Sequence, residues 1–350
     1  MRDRPVPADT FDFAHSYMCV TPQGLDLIVG DPDRVFPLAS VTKPIAAYAA
    51  LVAVDRGLLS LDVPAGPQGS TLRHLLAHAS GLPFGRGEPI AKPGTRRIYS
   101  NYGYDVLGQV VAQSVGMPVQ EWVMQAVAEP LGMDTFALVA GSWPVQGGDA
   151  ETGASDAAVG SAVGVAGVVV DVSRVGGSMG VDDPVGVSSA VGVGGTAEVG
   201  SQRELAGRAE LTGGAELTSA MAGSIAADGV ASADSLARFA LELLNPTLIS
   251  PDLFEQAATP QFDGLAGILP GYGKQTNNQW GLGFSIRGHK HPHWLSADFS
   301  PRTIGHFGQS GSFIWMDPEV HRAGLFLGEA PFGWQHRAVW PALTAQMRAL

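Results

Sequence analysis

Cysteine occurs once in 350 residues, at position 19. No internal disulfide is open to the chain, and because Cys19 sits in an apolar run it reads as a small buried hydrophobe rather than a nucleophile. Positive charge is also scarce. Lys+Arg 21 against Asp+Glu 33 leaves a net −12, and a surface of that sign repels phosphate backbones and anionic headgroups. Nucleic acid and membrane are therefore excluded as partners. No run is apolar over the roughly 18 residues of a membrane span. Nor does an apolar segment of roughly 7 to 15 residues follow the N-terminal charges, so no signal peptide is visible and a cytoplasmic location is expected. Lysine is missing between Lys92 and Lys274, and aromatic residues are missing between Trp143 and Phe239. The stretch 141–214 is instead Gly, Val, Ala and Ser with scattered acids. It predicts loops and irregular short elements, because little in it can anchor a core.

What is present is ample for folding. With 45% hydrophobic and 15% charged residues, the chain is not globally disordered, and its length implies one large domain or two packed lobes. Residues 17–21 and 25–30, parted by Pro22-Gln23-Gly24, predict an antiparallel hairpin. An Ala-rich helix is expected from about Ser40 to Gly57, with Pro44 in its first turn where a missing N–H costs nothing. Helical spacing continues over 72–79, 103–115 and 119–128, and returns at 232–244 with Ser232 and Asp234 as caps. Residues 280–286, 312–316 and 323–328 read as strands, the last two joined around Asp317-Pro318-Glu319, and 334–350 reads as a helix returning to that sheet.

Ser40-Val41-Thr42-Lys43 is the sharpest chemical signal. Residues three apart share a helix face, so the Lys43 amine can approach the Ser40 hydroxyl. A serine hydroxyl becomes a nucleophile when a base takes its proton, and lysine serves only if its pKa falls from about 10.4, which burial would achieve. Two further segments follow in order: Tyr99-Ser100-Asn101 before a helix, and Gly305-His306-Phe307-Gly308-Gln309-Ser310-Gly311 on a strand.

This order resembles the serine beta-lactamase and penicillin-binding protein superfamily, whose Ser-x-x-Lys motif is a signature of acyl-serine chemistry. Within it the chain is most similar to the class C beta-lactamase type, a group that includes family VIII esterases, D-aminopeptidases and D-alanyl-D-alanine carboxypeptidases. His74-Leu-Leu-Ala-His-Ala-Ser-Gly-Leu82, Leu131-Gly-Met133, the 231–239 segment and Trp280-Gly-Leu-Gly-Phe284 resemble further family segments. The likeness covers residues 15–137 and 215–345; the Gly/Val/Ala-rich middle does not match. It implies an α+β fold, an antiparallel sheet flanked by helices with a mainly helical lobe inserted. As one domain in two lobes, 11–60 and 225–350 form the α/β lobe and 61–224 the helical lobe, with Ser40 in the cleft between them. It implies Ser40 as the acylated nucleophile, Lys43 and Tyr99 as partners in proton transfer, and Asn101 as a substrate-positioning amide. Backbone N–H groups of Ser40 and Gln309 would form the oxyanion hole, and Gly308 would let a ligand backbone approach. No metal or organic cofactor is implied.

The chain departs from the family at the third motif. Where many members carry Lys-Thr-Gly, it carries His306-Phe307-Gly308, exchanging a permanent cation for a mostly neutral imidazole and removing a hydroxyl. The expected substrate is therefore a small ester or amide whose anionic group is absent or bound elsewhere. Carboxylesterase-like hydrolysis is the first reading, a D-amino-acid peptidase or beta-lactamase the second, and a non-catalytic ligand-binding homologue the third. His78 and Ser80 read as hydrogen-bonded scaffold. His289, His291 and His293 alternate as strand ligands of zinc would, but Pro292 and the lack of a nearby carboxylate or cysteine favour an exposed loop. Trp280, Trp294 and Trp315 read as a substrate-pocket wall or as core. The oligomeric state and the natural substrate are not legible.

Overall fold

Three strand segments near the chain ends are buried on nearly every residue, and so are covered on both faces. In the computed structural model, which describes residues 10–143 and 223–350, six strands form one antiparallel sheet in the order β2-β1-β11-β10-β9-β8. The strands are β1 (His15–Thr21), β2 (Gly24–Val29), β8 (Ser285–Ile286), β9 (Ile304–Gly308), β10 (Ser312–Asp317) and β11 (Arg322–Gly328). N- and C-terminal segments meet at its centre, with Tyr17 opposite Phe326 and Cys19 opposite Gly324.

Alternate residues of these strands feed two separate cores. Met18, Val20, Ile314, Met316, Leu325 and Leu327 join one cluster, and Tyr17, Cys19, Phe313, Trp315 and Phe326 join the other. The first core is closed by α1 (Thr42–Asp55) and α6 (Ala233–Leu244), the second by Trp340, Leu343 and Met347 of α8 (Trp334–Ala349). Cys19 is buried there, and desolvation pushes its thiol up to about 12, so it is the inert hydrophobe the sequence suggested. Helix α1 is buried from Thr42 to Ala53, which its Ala-rich, all-round apolar sequence requires.

Around the first core lie α2 (Leu72–Leu76), α3 (Asn101–Val115), α4 (Val119–Val123), a π-helical turn (Met124–Ala128), α5 (Glu129–Leu131) and α7 (Pro251–Ala258). A small sheet joins β3 (Val35–Pro37), β4 (Ala137–Leu138) and β5 (Gly229–Ser232) in the order β3-β5-β4, and β6 (Gly267–Leu269) pairs with β7 (Gly273–Gln275). No helix among the described residues is long and apolar enough to cross a membrane.

Three expectations are corrected. Helix α2 stops at Leu76 rather than 79, because His78 turns to φ 53. Of the expected strand 280–286 only Ser285–Ile286 forms: Gly283 adopts φ +94 and a Cβ there would lie 2.2 Å from that of Ala47. The 289–293 loop is only partly exposed. His289 and His291 face solvent, while Lys290 and His293 are buried, the lysine donating to Gln279 O and Ser285 Oγ, each at 2.8 Å. The segment read as irregular, 141–214, lies from residue 144 onward outside the described residues.

Candidate active site

Ser40 lies in a short 3-10 turn, Ala39–Val41, that runs directly into α1. Ala39 before it is held at φ 44, a left-handed conformation that costs a non-glycine residue energy and recurs at functional turns. Thr42 fixes this turn from behind, its hydroxyl donating to Ala39 O at 2.6 Å and accepting from Gly229 N at 2.9 Å. Ser40 therefore stands at a helix start, where the first N–H groups have no intrahelical partner.

One turn on, Lys43 is fully buried. Its Nζ lies 3.3 Å from Ser40 Oγ, 2.6 Å from Asn101 Oδ1 and 2.7 Å from Ala226 O. The faces of two tyrosines complete the cage, Nζ standing 4.8 Å from the Tyr99 ring centre and 5.4 Å from that of Tyr104. Burial, only partly opposed by Asp105, lowers the amine to about 7. The Lys43 amine is thus an available base near neutral pH.

Tyr99 and Asn101 are placed by the start of α3. Arg97, buried, donates to the carbonyls of Asn278, Ala77, Gln261 and Phe262, tying down the chain two residues ahead of Tyr99. Ser100 caps α3, its Oγ accepting from Gly103 N at 2.7 Å, and its own N–H donates to His78 Nδ1 at 3.2 Å. His78 is thus the scaffold its sequence context suggested. The Tyr99 hydroxyl meets no hydrogen-bond partner among the described residues, although Ser40 is near enough to pull its pKa down. Burial is the larger influence and pushes it above the ordinary value. Tyr99 therefore stays a neutral phenol near neutral pH.

The third motif brings His306 to the same place. Strand β9 sends Ile304 and His306 toward α1 and Phe307 to the opposite face. The His306 ring centre lies 5.8 Å from Tyr99 and 5.4 Å from Trp280. Its Nδ1 is 2.7 Å from Phe307 O; a carbonyl only accepts, so Nδ1 carries the hydrogen and Nε2 is left as an acceptor. Burial and the Lys43 charge hold the imidazole neutral, down to about 3. Phe307 packs on Tyr272, Trp294, Phe332 and Trp340, so its place in the motif is a core position and not a lost hydroxyl of the site. Trp294 and Trp315 are core as well, whereas Trp280 borders the site through His78, Tyr99 and His306.

At Gly308 the chain itself comes close. A Cβ there would stand 2.4 Å from Leu38 O and 3.1 Å from Ser40 N, so what approaches its backbone is the Ser40 turn itself. That contact sets Ser40 N–H beside the end of β9, where Gln309 follows. Two contributors were not foreseen. Ala226 acts through a carbonyl, which leaves no trace in the residue type, and Tyr104 walls the lysine while reading as an ordinary buried helix position.

A sheet of this order with a serine and a buried lysine on the helix packed against it is the beta-lactamase and penicillin-binding protein fold. The Beta-lactamase family model matches residues 30–343, and the chain belongs to that family. A solved beta-lactamase from Mycobacterium bovis is 35% identical, with TM-score 0.73 over 97% of this chain and 96% of that one. Esterase EstB of Burkholderia gladioli is 35% identical over 167 residues, 33% of this chain and 43% of that protein. Penicillin-binding protein 4* of Bacillus subtilis is 28% identical over 135 residues, 29% of this chain and 30% of that protein. The match spans less than half the length of each of these two curated relatives.

Proposed function

We propose that the protein is a serine hydrolase that cleaves small uncharged esters through an acyl-Ser40 intermediate. The observation that carries this reading is the hydrogen bonding of Lys43. A neutral amine has two hydrogens, and the two shortest contacts of Nζ are to the acceptors Asn101 Oδ1 and Ala226 O. The lone pair is then left for the Ser40 hydroxyl. Asn101 so acts on the base, beyond the substrate-positioning role the resemblance implies for its amide.

In the first step Ser40 Oγ attacks the ester carbonyl as its proton passes to Lys43 Nζ, and the oxyanion forms against the N–H groups of Ser40 and Gln309. Tyr99 gives its proton to the departing alkoxide and is reprotonated from Lys43. Water then attacks the acyl-enzyme, with its proton taken by the same base and returned to Ser40 Oγ. Because the free amine is the active form, kcat/KM should rise with pH and level off above about 7.

The ester preference rests on His306. As a neutral acceptor it offers a substrate carboxylate no charge and no donor, whereas a lysine in that place would offer both. EstB, a relative at 35% identity, is itself described as an esterase, which supports the ester reading, while the solved structure at the same identity is described as a beta-lactamase, so the choice between them is carried by His306. The test is kcat/KM for a para-nitrophenyl ester and a chromogenic cephalosporin. Wild type should prefer the ester by orders of magnitude, and His306→Lys should improve the cephalosporin while Phe307, a core residue, is left in place. A wild-type preference for the cephalosporin would overturn the assignment.

A further inference from the structure

Arg97 is a cation set inside the protein, only 3% exposed, and all four of its side-chain acceptors are backbone carbonyls. Nε donates to Asn278 O at 3.0 Å, Nη1 to Ala77 O at 2.5 Å, and Nη2 to Gln261 O at 2.6 Å and Phe262 O at 3.1 Å. These carbonyls belong to segments far apart in the chain, and each leads to a ring at the site. Ala77 precedes His78, Asn278 lies two residues before Trp280, and Arg97 itself lies two residues before Tyr99. Gln261 adds a second tie, its N–H donating to Trp280 O at 2.7 Å. The three rings touch: the His78 centre is 4.6 Å from those of Tyr99 and Trp280, which are 5.9 Å apart. One guanidinium thus fastens together the backbones that carry all three.

We propose that Arg97 is a positioning residue for Tyr99: by locking these segments to one another, it holds the phenol where its proton reaches the departing alkoxide. The proposal rests on the reading of Tyr99 as that proton donor. The Tyr99 hydroxyl meets no hydrogen-bond partner among the described residues, so its place depends on the ring contacts and on the backbone that leads to it. The guanidinium suits the task because its donors lie in one rigid plane and point in several directions, whereas the three donors of a lysine sit on a single nitrogen.

Leaving groups supply the test. A para-nitrophenolate is a weak base and departs unaided, whereas an ethoxide must receive a proton as its bond breaks. Tyr99→Phe should therefore lower kcat/KM for an ethyl ester at least about tenfold more than for the para-nitrophenyl ester of the same acid. Arg97→Lys keeps the charge but cannot span the four carbonyls, and a displacement of about 1 Å can cost about a hundredfold. It should show the same excess loss on the ethyl ester, and the double variant should show no more excess than Tyr99→Phe alone. Rates are taken per Ser40 labelled by a fluorophosphonate, whose fluoride leaves unprotonated, so unfolded protein is divided out. Arg97→Gln, with a planar amide, repeats the measurement where the lysine variant accumulates poorly. Equal losses on the two esters in the Arg97 variants, with the excess present in Tyr99→Phe, would mark a purely structural role and overturn the proposal. Equal losses in Tyr99→Phe itself would instead remove Tyr99 as the proton donor, and the proposal would fall with that reading.

Discussion

Ser40 contributes little to the fold. It is the N-cap of neither the 3-10 turn nor α1, and its hydroxyl stands 3.3 Å from an amine that already has two nearer acceptors. Ser40→Ala should therefore abolish acylation by fluorophosphonate and ester turnover, while shifting stability by less than about 1 kcal/mol in a denaturant titration. Residual turnover above a few per cent would place the nucleophile elsewhere. In the proposed mechanism Lys43 and Tyr99 handle one proton in sequence, so Lys43→Ala, Tyr99→Phe and the double variant should all lie within about tenfold of each other in kcat, each several orders of magnitude below wild type. Losses that multiply would show two separate roles.

At the level of elements, the site is assembled where backbones, rather than side chains, come into contact. β9 meets the Ser40 turn at Gly308, and the nearest neighbour of an added Cβ is the carbonyl oxygen of Leu38 at 2.4 Å, with no flexible side chain to give way. Gly308→Ala should push β9 and the Ser40 turn apart, costing about 1–3 kcal/mol of stability. It should also cut kcat about a hundredfold, the scale of losing one oxyanion donor. A variant with full activity would show that the Gln309 N–H is not used. The same contrast explains what could be read in advance. Ser40, Lys43, Tyr99, Asn101 and His306 carry their chemistry in side chains at helical or strand spacing, the hairpin, α3, α6 and α8 carry periodic apolar faces, and α1 is a long Ala-rich apolar run. Ala226 O, the positive φ of Ala39 and the approach at Gly308 are backbone facts set by neighbours distant in sequence. Trp280-Gly-Leu-Gly-Phe284 looked like a strand because its large residues alternate, but Gly283 folds back on Ala47. Phe307 stood inside a catalytic motif, and only the direction of β9 assigns it to the aromatic core.

For the whole molecule, the sheet separates two cores, and Lys43, the proposed base, lies within the one closed by α1. A lysine there works against folding. Its amine falls from 10.5 to about 7 because burial penalises the charge, so between those values the unfolded chain binds a proton that the folded chain does not, and stability rises with pH across that window. Below about 7 the folded state must hold the ammonium in a cage of carbonyls and rings, and the full penalty applies. Above 10.5 it vanishes. Lys43→Met keeps the length of the side chain and removes the titration, though it leaves the Asn101 and Ala226 oxygens without their donor, a loss that does not vary with pH over this range. The stability difference, Lys43→Met minus wild type, should therefore be most favourable to the variant at pH 6 and decline steadily toward pH 10. Paired urea titrations at several pH values measure it. A difference independent of pH would mean that Lys43 titrates in the fold as it does in water, and that the Ser40 proton goes to another group.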